Sequence, residues 1–147
     1  MTSIHASPFV LNSFLSGFSP LLVSRGGDLQ DICHRAGLTQ HEVTGANQLI
    51  PFDRFIDLLE AAASILKVDD FALRLAARQD LCALGPVALM LGNCKTVSEA
   101  ISVTVSQLTL LVSGISIASQ CHKDAFIIEI DVHLPRLKYR RQFRDYL

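Results

Sequence analysis

The sequence predicts an α+β fold: a mostly helical single domain with a β-hairpin or small antiparallel sheet near its C-terminal end. Its 147 residues fall within the size range of one domain. Up to about residue 112, apolar side chains recur at helical spacing between residues that start and stop helices. Residues 115–121 and 125–132 are then two strand-like runs around a short polar turn. No linker or repeat divides residues 1–147.

The composition indicates an ordered chain with unevenly distributed charge. Half of the residues are apolar and 18% are charged, which is far from the composition of disordered proteins. The net charge of −1 combines two unlike parts. Residues 1–135 carry 8 basic and 13 acidic side chains (−5), whereas residues 136–147 carry 5 basic and 1 acidic (+4).

The chain is expected to be cytoplasmic and to make no membrane contact. Met1 is not followed by the basic segment and cleavage site of a secretory signal. A long stretch without a charged side chain, Ala100–His122, is rich in serine and threonine and interrupted by Gly114, which does not suit a membrane span. The four widely spaced cysteines are predicted to be free thiols: Cys33, Cys82, Cys94 and Cys121.

The first half of the chain contains several helix signals. Residues 8–24 have apolar side chains at helical spacing, and we expect Pro20 to kink or end that helix. Asp28 is a suitable N-cap for a second helix, and Gly37 is a suitable stop. Pro51 suits the first turn of a third helix.

The helix after Pro51 has the clearest amphipathic pattern in the chain. Its apolar stripe is expected to pack inward: Phe52, Phe55, Leu59, Ala62 and Leu66. Its polar residues are expected to face water: Asp53, Asp57, Glu60, Ser64 and Lys67. Asp69 or Asp70 is predicted to cap the following helix, whose inward side chains are Phe71, Leu75 and Ala76.

Residues 81–122 contain only two formal charges, Lys95 and Glu99. Such a segment belongs either to the core or to a surface that faces a partner. Gly85 and Pro86 predict a short buried helix over Val87–Leu91. Thr96 and Glu99 have the spacing of a capping box, which favours a helix from Val97 although residues 102–106 alternate like a strand.

A final amphipathic helix is expected after Pro135. Its apolar side comprises Tyr139, Phe143, Tyr146 and Leu147, and its basic residues are Arg136, Lys138, Arg140, Arg141 and Arg144. We expect this helix to dock on the acidic remainder of the chain or to lead into a further domain, rather than to bind nucleic acid. The helix reaches Leu147 without a stop signal, so the natural protein is expected to continue.

Four successive segments resemble the arabinose-binding-like N-terminal domain of AraC-type bacterial transcription regulators. They are the helix Asp28–Leu38, Ile50-Pro51 leading into residues 58–62, residues 73–78 followed by Leu84-Gly85, and Thr96–Ile101. The similarity continues through the hairpin and the basic helix, so it covers roughly residues 10–147.

This resemblance implies an effector-sensing and dimerisation domain without catalytic activity, which forms a homodimer and binds a small-molecule effector. It also implies that promoter DNA is bound by a C-terminal domain with two helix-turn-helix motifs, which is absent from this chain. The resemblance does not identify the effector, because fold and binding site are separable. No cofactor is implied.

The alternative is a stand-alone small enzyme or metal-binding protein that uses Cys and His residues. Cys33-His34 and Cys121-His122 supply thiolate and imidazole, which zinc prefers, but no C-x₂-C or H-x₃-H pair accompanies them. No local pattern activates either thiol as a nucleophile. We therefore predict no catalytic residue and no metal site.

The composition of residues 81–122 also leads to our expectations for the ligand class and for the dimer interface. Their hydroxyl stripe, defined as Ser98, Ser102, Ser106, Thr109 and Ser113, suits close packing or a pocket with a few hydrogen-bonding groups. We expect an apolar effector there, with Gln107 as a candidate contact. The dimer interface is expected on the Val97–Val112 helix or on the helix after Pro135.

Overall fold

The computed structural model describes residues 7–122, 125–134 and 141–147, apart from the side chain of Phe126. Helices predominate, with two small antiparallel sheets, so the predicted α+β class is confirmed. The helices and strands follow the order β1 (Phe9–Leu11), α1 (Phe18–Ser24), α2 (Leu29–Ala36), α3 (Gln40–Thr44), β2 (Leu49–Pro51), α4 (Phe52–Leu66), α5 (Phe71–Ala76), α6 (Val87–Leu91), α7 (Val97–Gln107), β3 (Ile115–His122), β4 (Ala125–Val132) and α8 (Arg141–Tyr146). Short 3₁₀ turns lie at Asn12–Leu15, Leu81–Leu84 and Leu108–Leu110.

The N-terminal segment differs from the helix predicted over residues 8–24. β1 pairs antiparallel with β2, with Val10 opposite Ile50, and α1 begins only after Gly17, whose φ is 81°. Pro20 is therefore the third residue of α1, within the first turn, where a missing N–H breaks no helical hydrogen bond. The apolar spacing was still informative, because Leu11, Leu15 and Phe18 are all buried.

Capping residues set both ends of α2 and the start of α3. The Asp28 carboxylate accepts a hydrogen bond from the Asp31 N–H at 2.7 Å, and Gly37 ends α2 in the left-handed conformation at φ 69°. Thr39 and Glu42 form a capping box at the start of α3. The Thr39 N–H and hydroxyl bind the Glu42 carboxylate and lower its pKa.

α4 lies at the centre of the fold, where it contacts α2, α5, α8 and both strands of the first sheet. Phe52, Phe55, Leu59 and Ala62 are buried as predicted. Phe18 and Phe71 meet edge to face beside them, with ring centroids 5.6 Å apart. This core contains most of the large buried side chains.

α8 docks on the core, which confirms one of the two roles expected for the C-terminal helix. Phe143 is 3% exposed and lies edge to face on Phe52, with centroids 5.3 Å apart. Leu147 is 54% exposed, contrary to the predicted apolar stripe. Arg141 and Arg144 pair with Asp145 at 3.4 and 3.7 Å. The other predicted members, Arg136, Lys138, Tyr139 and Arg140, lie outside the described residues.

Two predictions about capping and exposure near α8 are wrong. Asp70 precedes α5, but its carboxylate pairs with Arg74 at 2.8 Å and caps no N–H. The buried Gln142 side chain of α8 accepts the Ala72 N–H instead, at 3.0 Å. Glu60, predicted to face water, accepts the Gln142 N–H at 2.9 Å.

The charge-poor segment forms helices and a hairpin on the outside of this core. α7 is a helix, as its capping residues predicted, and the Thr96 hydroxyl accepts the Glu99 N–H at 3.1 Å. The expectation that α6 is buried is wrong, because Leu89 is 80% exposed and Val87 is its one buried residue. No residue of α7 is buried. The larger core is filled by side chains of α1, α2, α4, α5 and α8, and α6 packs instead on a small cluster with Leu11 and Leu111.

The predicted β-hairpin is confirmed. β3 and β4 pair antiparallel from Ile115 opposite Val132 to His122 opposite Ala125. The hairpin joins the body through Ile115 and Val132, which pack against the core. Within the described part of the chain, no helix is both long and apolar enough to cross a membrane.

Candidate ligand groove and apolar surface

An uncharged groove of about 340 Å³ separates the start of α1 from the loop between α3 and β2. We call it the Asn12 groove; its lining comprises Asn12, Ser13, Leu15, Ser16, Gly17, Ser19, Pro20, Val43, Thr44, Gly45, Ala46 and Asn47. Its volume is within the range of small-molecule sites. Because every lining residue is uncharged, it suits a ligand that carries hydroxyl, carbonyl or apolar groups.

Asn12 holds the two walls of this groove together. Its side chain is 5% exposed, and its Nδ2 donates to the Gly45 and Glu42 carbonyls at 2.6 and 3.0 Å. Its Oδ1 accepts the Gln48 N–H at 3.0 Å. These bonds fix the α3–β2 loop, where Asn47 takes a left-handed φ of 52°. The groove is therefore built on a fixed loop.

On the side away from the Asn12 groove, the 3₁₀ turn that forms one groove wall is hydrogen-bonded to Gln79, which follows α5, and to α8. The Phe14 carbonyl accepts the Gln79 amide at 2.6 Å and lies 2.7 Å from the Tyr146 hydroxyl. Tyr146 Oη is also 2.8 Å from Gln79 Oε1, so its single proton can be donated to either acceptor. Burial raises the pKa of Tyr146, which keeps the phenol protonated as a donor. The groove wall and α8 thus share one hydrogen-bond network.

A second, larger groove of about 600 Å³ lies beside α2 and α3. Asp28, Asp31 and His34 contribute to its lining, and Asp31 is paired with Arg35 at 3.0 Å. This groove is bordered by exposed charged side chains on short surface helices. It is therefore a weaker candidate for an apolar ligand than the Asn12 groove.

A separate apolar surface lies on α6, α7 and the hairpin. Its exposed side chains include Leu89, Met90 and Val97, and on one face of the hairpin Ile128 and Ile130. Leu110, on the turn after α7, and Ile127, on the opposite face of the hairpin, are also exposed. α7 contacts both α6 and β3, so these elements are neighbours. Large exposed apolar patches on otherwise well-packed proteins mark interaction sites.

The predicted hydroxyl stripe does not line either groove. The Ser102 and Ser106 hydroxyls donate to carbonyls of their own helix, both at 2.9 Å. Ser113 accepts the Phe9 N–H at 2.8 Å and so joins the hairpin base to β1. Gln107, the candidate ligand contact, lies half-buried at the end of α7 and approaches Ser106 at 3.4 Å, away from both grooves.

The two Cys-His pairs lie in unlike places. Cys33 is 1% exposed in the core beside α4, while His34 is exposed. Cys121 and His122 are exposed at the far end of β3. Among the described residues, no three His, Cys, Asp or Glu side chains converge in a metal-binding arrangement.

These environments predict the order in which the thiols react. Burial raises the pKa of Cys33, so iodoacetamide should modify it only after unfolding. The Asp80 carboxylate raises the pKa of the exposed Cys82, which lowers its thiolate fraction at neutral pH. We expect Asp80→Asn to accelerate Cys82 alkylation while Cys33 stays protected. Peptide mass spectrometry over time measures this, and equal rates for Cys82 in both proteins would contradict it.

No sequence pattern points directly to the Asn12 groove. Residues 44–48 have the composition of a loop, but nothing in the pattern says that this loop faces residues 12–20. Asn12 is the missed organising residue. The only feature of the sequence that could have identified Asn12 is that a polar asparagine lies next to apolar positions predicted to be buried.

Comparison with known proteins matches this chain to one family. The model described as the arabinose-binding domain of AraC transcription regulator, N-term, matches residues 26–147. No curated protein matches the chain. The matched range includes α2 through α8, and therefore one wall of the Asn12 groove and the whole hairpin.

Proposed function

The chain belongs to the family of arabinose-binding domains from the N-terminus of AraC transcription regulators, and from this premise we propose that it senses a small molecule in the Asn12 groove. The observation that carries the proposal is the double role of the Asn12–Leu15 turn. One side of this turn lines the groove, and the Phe14 carbonyl on its other side binds Gln79 and approaches Tyr146 of α8.

The proposed effector is uncharged or weakly polar. A carboxylate or ammonium group would enter the groove without an opposite charge among the lining residues, and desolvating it would oppose binding. Serine hydroxyls and backbone groups supply the polar contacts that orient a ligand. This location replaces the site expected in residues 81–122, while the expected ligand class is kept. The family name does not make the effector arabinose.

Ligand binding is proposed to act on α8 through the shared hydrogen-bond network. A ligand that contacts the Asn12–Leu15 turn favours the turn geometry that it fits better. It can shift the equilibrium between two geometries of this turn only by the difference in its affinity for them. Movement of the Phe14 carbonyl changes which acceptor Tyr146 can reach. α8 is thus the proposed output element.

In the proposed regulator this domain also forms a homodimer in the cytoplasm. Promoter DNA is bound by a separate helix-turn-helix domain, because base recognition needs a helix that can enter the major groove. The described basic residues Arg141 and Arg144 are paired with Asp145 on a helix that docks through its other face. This arrangement supports a division between sensing and DNA reading.

The groove is tested by blocking it. Ala46 is an exposed lining residue, so Ala46→Trp should fill the groove without disturbing the core. In a thermal-shift screen, neutral compounds should stabilise the wild type more than highly charged metabolites do. For the best neutral compound, calorimetry should show binding weakened roughly tenfold or more by Ala46→Trp, since a filled pocket excludes its ligand.

Gln40→Trp provides the matched control. Gln40 is an exposed lining residue of the larger groove, so the same bulky side chain should leave neutral-ligand binding unchanged. Loss of binding in Gln40→Trp with retention in Ala46→Trp would assign the ligand to the larger groove. Stabilisation by charged metabolites alone would contradict the proposed effector class.

A further inference from the structure

Three successive residues of the Asn12–Leu15 turn bind three different parts of the fold. Asn12 binds the α3–β2 loop, and the Phe14 carbonyl faces α5 and α8. Between them, the Ser13 hydroxyl donates to the Ala83 carbonyl at 2.8 Å, in the 3₁₀ turn that precedes α6. A 3₁₀ helix has three residues per turn, so consecutive residues point in different directions. The wall of the Asn12 groove is therefore bonded to the start of α6 as well as to α8.

The segment that leads into α6 packs tightly against this turn. Ala83 is buried, and the hydrogen bond that it accepts from Ser13 joins residues 70 positions apart. Gly85 follows with φ 52° and ψ −130°, a conformation that residues with a side chain rarely adopt. A Cβ on Gly85 would lie 3.0 Å from Leu11 Cδ2 and 3.2 Å from Ser13 Oγ. The approach to α6 is thus fitted closely to Leu11 and Ser13.

α6 itself is only lightly attached to the body of the domain. Val87 is its one buried residue and packs in the small cluster with Leu11 and Leu111. Leu89 and Met90 are exposed, and α7, which contacts α6, has no buried residue. Segments with few buried apolar contacts open locally at a lower free-energy cost than the core. The contacts made by Leu11 and Ser13 therefore carry much of the attachment of α6.

We infer that α6 is a second element that responds to occupancy of the Asn12 groove, and that the hydrogen bond from Ser13 to Ala83 transmits this response. The inference rests on the proposed function and deepens it, because it adds α6 to α8 as an output. A ligand that packs on the Asn12–Leu15 turn stabilises the geometry in which Ser13 reaches Ala83. Attached α6 stabilises the same geometry. Ligand binding and attachment of α6 therefore favour each other.

The response changes the apolar surface on α6, α7 and the hairpin. α6 carries Leu89 and Met90 of this surface and contacts α7, which carries Val97. Local opening of α6 displaces Leu89 and Met90 and uncovers Val87. An occupied groove keeps α6 closed for a larger fraction of the time. Occupancy of the groove thus sets the shape of a surface that does not line it.

Ser13→Ala tests the attachment of α6. Native-state hydrogen exchange with mass spectrometry should show roughly fivefold faster exchange in residues 81–91, the factor that corresponds to one lost hydrogen bond. Ser19→Ala is the matched control. Ser19 also lines the groove, but its hydroxyl has no hydrogen-bond partner in the described chain, so exchange in residues 81–91 should stay at the wild-type rate. Circular dichroism verifies that both variants fold.

Ala46→Trp tests the link to the groove, with the indole as a tethered occupant. The chain contains no tryptophan, so the fluorescence of this variant reports whether its indole is buried in the groove. A buried indole should slow exchange in residues 81–91 roughly fivefold or more, the lower range of coupling between two sites. The slowing should disappear when Ser13→Ala is added, because the transmitting bond is gone. It should persist when Ser19→Ala is added.

Three outcomes would overturn the inference. Wild-type exchange rates in residues 81–91 of Ser13→Ala would show that this bond does not hold α6. A buried indole in Ala46→Trp without slower exchange there would separate α6 from the groove, and equal slowing in the Ser13→Ala background would exclude Ser13 as the transmitter. Each of these outcomes leaves the groove as a ligand site, which calorimetry with neutral compounds tests. Failure of those compounds to bind the wild type would instead refute the proposed function.

Discussion

Replacing Phe143 with alanine is expected to lower the free energy of unfolding by about 3–5 kcal/mol, the usual cost of removing a buried phenylalanine side chain. Phe143 is 3% exposed and meets Phe52 edge to face at 5.3 Å. Phe52 in turn lies 6.0 Å from Phe55, which packs against Tyr146. Loss of the Phe143 ring therefore opens a cavity between α8 and α4 and loosens the attachment of Tyr146. Urea unfolding followed by circular dichroism measures the change.

Arg144→Ala is the matched control on the same helix. The Arg144 side chain is 79% exposed, and its ion pair with Asp145 at 3.7 Å lies on the surface. Its loss should change stability by about 0.5 kcal/mol or less, as is usual for surface substitutions. Equal destabilisation by both substitutions would mean that α8 contributes through general helix stability rather than through the Phe143 contact.

The elements that could be predicted from sequence are those whose ends are set by local chemistry. Asp28 and Gly37 delimit α2, and the Thr96 hydroxyl starts α7, because a cap acts on residues three or four positions away. The hairpin was predictable for a similar reason, since both strands and their turn are contiguous. For these elements the sequence contains both interacting groups within one short window.

The elements that were missed depend on contacts between distant residues. β1 is three residues long and exists because Val10 pairs with Ile50 and bridges to Val112. Leu11 of β1 and Leu15 of the following turn keep helical spacing, so periodicity alone suggested a helix. The Asn12 groove was missed for the same reason, because the bonds from Asn12 to the Gly45 carbonyl and Gln48 N–H span more than 30 residues.

The residues of the apolar surface are more exposed than the low charge of their segment suggested. Low charge in residues 81–122 suggested either core or interface, and the exposure of Leu89 and Val97 decides against core for α6 and much of α7. The core interpretation failed because side chains of α1, α2, α4, α5 and α8 already fill the interior. Composition predicts how apolar a segment is, but the volume left by other elements decides whether it is buried.

Gln142 is the residue whose role was least visible in the sequence, since it was neither on the apolar stripe nor among the basic residues of the last helix. Its Oε1 accepts the Ala72 N–H at 3.0 Å, and its Nε2 donates to the Asp69 carbonyl at 2.7 Å. Ala72 is in the first turn of α5, where helix N–H groups lack partners within the helix. Gln142 thus caps α5 from a position 70 residues away.

Gln142→Leu is therefore expected to destabilise the protein by about 1–3 kcal/mol, the cost of leaving a buried N–H without an acceptor. Leucine has a similar size but cannot accept the Ala72 N–H, and Ala72 is fully buried, so water cannot easily replace the lost bond. Gln142→Glu keeps an acceptor for the Ala72 N–H, so that amide should stay protected, but its carboxylate replaces the donor to the Asp69 carbonyl and lies near Glu60, which adds a separate cost. Urea unfolding ranks the two variants, and native-state hydrogen exchange should show faster exchange of the Ala72 amide in Gln142→Leu. If that amide exchanges at the wild-type rate, another group satisfies the start of α5. The ranking of the leucine and glutamate variants would then reflect packing alone.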